Sequence, residues 1–186
     1  MSDNNYQSYA DQDGLTIRNL VIDPKAAGAN VSLLSDVWKL SHVTNSTFDG
    51  VTVIALGAME NALDANRMCS NVVIRNCWLV GGRQAAIVTK GGCRGMIYED
   101  IFIQAEDSAR VDILWDDWSD QSSDHSEGTF IRCRRAGDAV RLPLRLAFGR
   151  WHRPTFIDSP YVVDWPLTVG MHCYNILKGL GRKLGL

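Results

Sequence analysis

The chain has 186 residues, 46% hydrophobic and 22% charged, a balance that supports one packed domain and excludes disordered, collagen-like and coiled-coil classes. The formal net charge is −2 and the pI is near 6.1, so there is no domain-wide basic field for nucleic acid. With no run of 18 apolar residues and a polar, acidic opening at Met1-Ser2-Asp3-Asn4-Asn5, a soluble protein made in the cytoplasm is expected, with neither a membrane span nor a secretory leader.

Residues 1–13 are polar and are set apart as a flexible N-terminal segment. From Leu15 onward, short apolar runs bounded by Gly, Asn, Asp and Ser recur, while helical spacing does not persist before the C-terminus, which predicts a β-rich chain. Six stretches resemble one another: Leu15-Thr16-Ile17-Arg18-Asn19-Leu20, Ser41 to Ser46, Val72-Val73-Ile74-Arg75-Asn76-Cys77, Met96 to Ile101, Thr129 to Arg134 and Thr155 to Pro160. Taking Ile17, Val43, Ile74, Tyr98, Ile131 and Ile157 as apolar anchors, the spacings are 26, 31, 24, 33 and 26 residues, a solenoid-like period with loop insertions. A second set of strand-like runs falls between them at Val51–Ile54, Ala85–Val88, Val111–Leu114 and Ala139–Leu142. A β-sandwich, the competing all-β arrangement, would place turn signals every 8 to 12 residues instead.

A polar residue follows two positions after most anchors, at Asn19, Asn45, Asn76, Asp100 and Ser159. Asn and Asp suit a tight turn because they tolerate left-handed backbone angles, and stacked amides can bond one another. In Asn71-Val72-Val73-Ile74-Arg75-Asn76-Cys77-Trp78 and Leu15-Thr16-Ile17-Arg18-Asn19 the pattern resembles the right-handed parallel β-helix of the pectin-lyase-like superfamily. The resemblance implies an all-β, single-stranded solenoid of about six coils over residues 14–164, with 165–186 as a C-terminal cap or tail. Tyr98 at an anchor and Cys133 at the Asn position depart from it.

The five cysteines form no CxxC pair and no zinc-like spacing, so free thiols are expected; Cys69 and Cys93, each five residues before an anchor, should occupy matching places in successive coils. Charge is uneven. Eight acids against Arg110 lie between Glu106 and Glu127, and seven arginines against Asp138 between Arg132 and Arg153. Coils stack about 4.8 Å apart, so these blocks either pair across coils or leave an Arg-rich surface for carboxylate, sulfate or phosphate groups.

Candidate ligand-binding residues are Trp115 and Trp118, taken as exposed indoles for sugar contact, with Arg132, Arg134, Arg141 and Arg145. Trp78 and Trp165 are expected to pack internally. Asp116, Asp120, Asp124 and Glu127 supply hard oxygen atoms that suit calcium, although they lack the order of a recognised calcium loop; no other cofactor is expected. Asp112, Arg141 and Lys90 are the catalytic candidates, on the expectation that they converge on one outer face. The resemblance to phage tail-fibre and tailspike β-helices implies a structural or carbohydrate-recognition module, viral in type, located in a virion and homo-oligomeric, with a trimer as the model. The alternative it implies is a lyase or hydrolase acting on an acidic polysaccharide.

Overall fold

Short runs of two to six residues, many alternating inward and outward, build the strands, and the intervening turns bring each strand beside its counterpart one repeat later. In the computed structural model, residues 11–28, 36–56, 60–104, 111–116, 125–135, 143–149 and 153–184 are described, with side chains to residue 174.

Three parallel sheets result. Sheet I comprises β2 (Thr16–Arg18), β6 (Thr47–Asp49), β9 (Val73–Arg75), β12 (Met96–Glu99), β15 (Gly128–Ile131) and β18 (Thr155–Ile157). Sheet II comprises β3 (Val21–Ile22), β7 (Thr52–Ala55), β10 (Trp78–Gly81), β13 (Phe102–Gln104) and β16 (Arg134–Arg135). Sheet III comprises β4 (Asp36–Ser41), β8 (Asn61–Asn66), β11 (Ala85–Thr89), β14 (Ile113–Trp115), β17 (Leu144–Phe148) and β19 (Tyr161–Val163). A short parallel pair, β1 (Gln12–Asp13) with β5 (Val43–Thr44), adds to the N-terminal end. The fold is all-β with parallel sheets, and its strand order is compatible with a parallel β-helix.

Register places like residues in rows. The inward row of sheet I is Ile17, Phe48, Ile74, Tyr98, Phe130 and Phe156. Sheet II contributes Ile22, Val53, Leu79 and Ile103, and sheet III contributes Trp38, Leu63, Ile87, Ile113, Leu146 and Val163. These rows meet in one core, and each large aliphatic or aromatic side chain fully withdrawn from water contributes about 1.5–3 kcal/mol.

The anchors at Ile17, Ile74 and Tyr98 stand where the repeat predicts. Those at Ile131 and Ile157 are one residue off, because the larger Phe130 and Phe156 turn inward and a one-residue slip sends the isoleucines outward. Val43 belongs to β5, and Phe48 takes the anchor place in its coil. The left-handed corner that follows sheet I is therefore Asn19, Gly50, Asn76, Asp100, Arg132 and Asp158, with φ between 49° and 70°. Ser159 and Cys133 lie one residue past it, and Asn45 turns at another corner, aligned with Asn71 and Gly95. Cys69 and Cys93 do stack: the Arg94 amide donates to the Cys69 carbonyl and the Glu127 amide to the Cys93 carbonyl.

Within the segment set apart as a C-terminal cap or tail, residues 165–184 form α1 (Trp165–Leu184). The Asp164 carboxylate accepts the Leu167 amide at 2.9 Å, capping the helix, and Pro166 sits in the first turn where a missing N–H costs nothing. The helix packs on β17: Trp165 and His172 meet Phe148 edge-on, and Met171 joins Ala85, Val88, Val111, Leu114 and Ala147. Among the described residues no helix is long and apolar enough to cross a membrane.

Candidate functional site

Sheet I presents two outward rows. The first is Thr16, Thr47, Val73, Ile97, Thr129 and Thr155; the second is Arg18, Asp49, Arg75, Glu99, Ile131 and Ile157. Beside the first row runs a groove of about 520 Å³, lined by Asn71, Val73, Gly95, Met96, Ile97, Glu127, Gly128, Thr129 and Thr155. Its floor is aliphatic. Around that floor stand two threonine hydroxyls, an amide and one exposed carboxylate. Gly95, at φ 60°, keeps the groove open where the chain turns, since a Cβ there would stand 2.8 Å from Asn71 Oδ1.

The second row is a charge ladder. Arg75 Nη2 lies 2.9 Å from Asp49 Oδ2 and Asn76 Nδ2 donates to Asp49 Oδ1 at 2.8 Å; these two bonds hold the Asp49 carboxyl below its ordinary range. Arg132 extends the pattern one coil on, donating from Nε to Asp100 Oδ1 at 2.9 Å and from Nη2 to Asp100 Oδ2 and Glu99 Oε1 at 2.8 and 2.6 Å.

Arg132 and Arg145 therefore serve as cross-coil ion-pair partners. Arg145 Nη2 stands 3.5 Å from Asp112 Oδ1, Arg135 Nε stands 3.6 Å from the same oxygen, and the Arg145 amide donates to Asp112 Oδ2 at 2.8 Å. Asp112 points away from the core as expected, yet it is wholly buried beneath these arginines. Lys90 does not join it: its Nζ is 3.5 Å from Asp64 Oδ2, which Lys39 Nζ also approaches at 3.5 Å and to which Asn66 Nδ2 donates at 3.0 Å. The expected convergence of Asp112 with Lys90 is thus replaced by two separate ion-paired carboxylates, and Arg141 lies outside the described residues.

Three tryptophans depart from the roles expected of them. Trp115 is fully buried, in an inward row with Leu40, Ala65, Thr89 and Phe148, and it packs edge-on to Phe130 at 6.0 Å. Gly128 makes room for it, because a Cβ there would stand 2.9 Å from the Trp115 ring. Trp78 is instead 48% exposed, on the outer face of sheet II, and Trp165 is 52% exposed at the start of α1. Trp118 lies outside the described residues. Arg134 is exposed and stacks its guanidinium 4.1 Å above the Phe102 ring.

Of the proposed calcium ligands, Asp116 is buried and both its carboxylate oxygens accept the Ser126 amide, at 3.2 and 3.1 Å. This bond ties together the two ends of the segment between them. Glu127 lines the groove, and Asp120 and Asp124 lie outside the described residues. Among the described residues no three His, Cys, Asp or Glu side chains are grouped to hold a metal ion.

The groove was hidden in the sequence by the register: Val73, Ile97, Thr129 and Thr155 each precede an inward anchor by one position, a β-branched row visible only once Phe130 and Phe156 replace Ile131 and Ile157. Comparison with protein-family models, with curated proteins and with solved structures finds no match to this chain.

Proposed function

We propose that the protein is a structural, carbohydrate-recognising module of the pectin-lyase-like type, comparable to phage tail-fibre and tailspike β-helices, and that the groove on sheet I binds a glycan chain. The observation that carries this reading is the lining of that groove: an aliphatic floor at Val73 and Ile97 for the C–H face of a sugar ring, with hydroxyl, amide and carboxylate groups from Thr129, Thr155, Asn71 and Glu127 for its hydroxyls. Coils spaced about 4.8 Å apart offer similar groups at nearly the repeat of an extended hexose chain.

A neutral glycan suits this site better than an acidic one. Arg132 and Arg145, which would read a uronate or sulfate, already neutralise Glu99, Asp100 and Asp112, and the lining group that carries charge is Glu127. Recognition is preferred to hydrolysis because a glycosidase needs a second carboxyl about 5–10 Å from the first. Among the described residues, Glu127 is the one carboxylate in the groove lining.

The test is binding of the purified protein to a panel of neutral and acidic polysaccharides at two salt concentrations. A neutral ligand whose affinity changes little with salt and drops at least tenfold in Thr129→Tyr, with melting unchanged, supports the reading. No ligand in either class overturns it. Release of unsaturated products absorbing in the ultraviolet from an acidic polymer would replace it with the lyase.

A further inference from the structure

The corner that precedes sheet I carries a stack of amides that stops inside the groove. At its head, Thr44 Oγ1 and Asn45 Nδ2 donate to Asp13 Oδ1 at 2.7 and 2.8 Å, and one coil on, Asn71 Nδ2 donates to Asn45 Oδ1 at 3.1 Å. A carboxylate only accepts, so Asp13 sets the direction of the stack: each amide turns its Nδ2 toward the N-terminal end and its Oδ1 toward the next coil. The place after Asn71 is Gly95, which has no side chain to donate, and the place after that is Glu127. Among the described residues nothing donates to Asn71 Oδ1 or to the Glu127 carboxylate, and both side chains are exposed.

Two acceptors on either side of a glycine admit a group that donates both ways. A Cβ on Gly95 would stand 2.8 Å from Asn71 Oδ1, and Glu127 lies one coil step of about 4.8 Å farther on, so the span to bridge is about 7–8 Å. Two adjacent ring hydroxyls, each donating a bond of about 2.7–2.8 Å, bridge about 8 Å, whereas a single ammonium reaches across about 5.5 Å. An acetamido group fails for a different reason: its N–H and C=O point in opposite directions, so satisfying Asn71 turns its carbonyl oxygen onto Glu127. Resting on the glycan reading of the groove, we propose that Asn71, Gly95 and Glu127 form a subsite for the vicinal diol of a neutral hexose. One hydroxyl donates to Asn71 Oδ1 and its neighbour to the Glu127 carboxylate, the second bond being the stronger because its acceptor is charged. The C–H face of the ring then lies on Val73 and Ile97 in the adjoining row of the groove. The substrate class is a chain whose linkage leaves adjacent hydroxyls free, such as a 1,4-linked hexan. A 1,3-linked chain is rejected, because its free ring hydroxyls flank the substituted position instead of adjoining each other.

Gly95→Asn is the decisive variant. Gly95 has φ 60°, a backbone that Asn tolerates, and the new amide would donate to Asn71 Oδ1 as Asn71 does to Asn45. The close approach is to the end of a side chain that can shift, so the protein itself continues the stack and closes the subsite. Binding is measured by isothermal titration calorimetry with 1,4-linked glucan and mannan oligosaccharides, 1,3-linked glucan oligosaccharides of the same length, and glucosamine oligomers; circular dichroism follows melting. The wild type should bind a 1,4-linked series at least tenfold more tightly than the 1,3-linked one. Gly95→Asn should lose that binding at least tenfold while melting at the wild-type temperature or above. Glu127→Gln should weaken it severalfold and narrow the preference between linkages, and because it leaves the backbone alone it tests the subsite even where Gly95→Asn lowers the melting temperature.

Undiminished binding in both variants, equal affinity for the two linkages, tightest binding to the glucosamine oligomers, or no binding of any of these probes each overturns the proposal. Thr129→Tyr separates it from the reading on which it rests. Binding that falls in Thr129→Tyr but is indifferent to Gly95→Asn and Glu127→Gln removes the diol subsite and keeps the glycan groove, whereas binding of no polysaccharide removes both.

Discussion

Tyr98 departs from the aliphatic anchor pattern, and the structure gives a reason for it. Its ring stacks on Phe130 at 4.5 Å while its hydroxyl, wholly buried, shares a 2.6 Å hydrogen bond with Thr89 Oγ1 across the core. Burial drives the phenol's pKa well up, so the group stays neutral and the bond persists. Tyr98→Phe leaves Thr89 short of that partner and is expected to cost about 1–3 kcal/mol, lowering Tm by about 2–4 °C for each kcal/mol in a chain of this size. Adding Thr89→Val should recover part of the loss, because two apolar groups in place of a bonded pair are nearly neutral; a double variant as unstable as the sum of the two singles would refute the pairing. At this scale the sequence is legible for core identity and poorly legible for exposure. Trp115 and Trp78 both stand at one end of a short apolar strand, and only the space left by Ala65, Thr89 and Gly128 decides that Trp115 goes inside.

Along an element, the corner after sheet I links local backbone preference to electrostatics. Asn19, Asn76 and Asp100 were readable as turn residues because short polar side chains tolerate positive φ. Arg132 at the same corner was not, since nothing about arginine favours that backbone; its bidentate grip on Asp100 accompanies the strained angle. The ladder has a pH signature. Asp49 is held below its ordinary pKa first by Asn76 and then by Arg75, and Asp100 is lowered chiefly by Arg132. A carboxyl lowered in the folded state contributes stability above its unfolded pKa, near 3.9, and that contribution disappears as pH falls through the lower folded value. Melting temperature should therefore fall more steeply below about pH 4 in the wild type than in Asp49→Asn combined with Asp100→Asn. Superimposable acid limbs would show that the ladder is too well solvated to contribute, the ordinary fate of exposed pairs. The cross-coil pairing of Arg132 was foreseeable from the charge blocks, although its partners precede the acidic stretch that drew attention.

For the molecule as a whole, stacked coils touch only their neighbours, so stability hinges on what covers the ends. At the C-terminal end α1 does part of this and also covers one side. Thr168 Oγ1 accepts the Phe148 amide at 3.4 Å near the end of the stack, while buried Met171 packs against the outward row of sheet III, Val88, Leu114 and Ala147. The three glycines at 170, 179 and 181 lower the intrinsic helix propensity, so the helix depends on this packing more than it supports itself. Ending the chain after Asp164 should therefore expose Phe148 and the Val88–Leu114–Ala147 face together, with a lower and broader melting transition and binding of a hydrophobic dye. Met171→Asp is the milder version: an unpaired carboxylate in that apolar contact should cost several kcal/mol while the N-terminal coils keep their strand signal. If both variants melt as sharply and as high as the wild type, α1 is an appendage, and the stacked sheets hold without it.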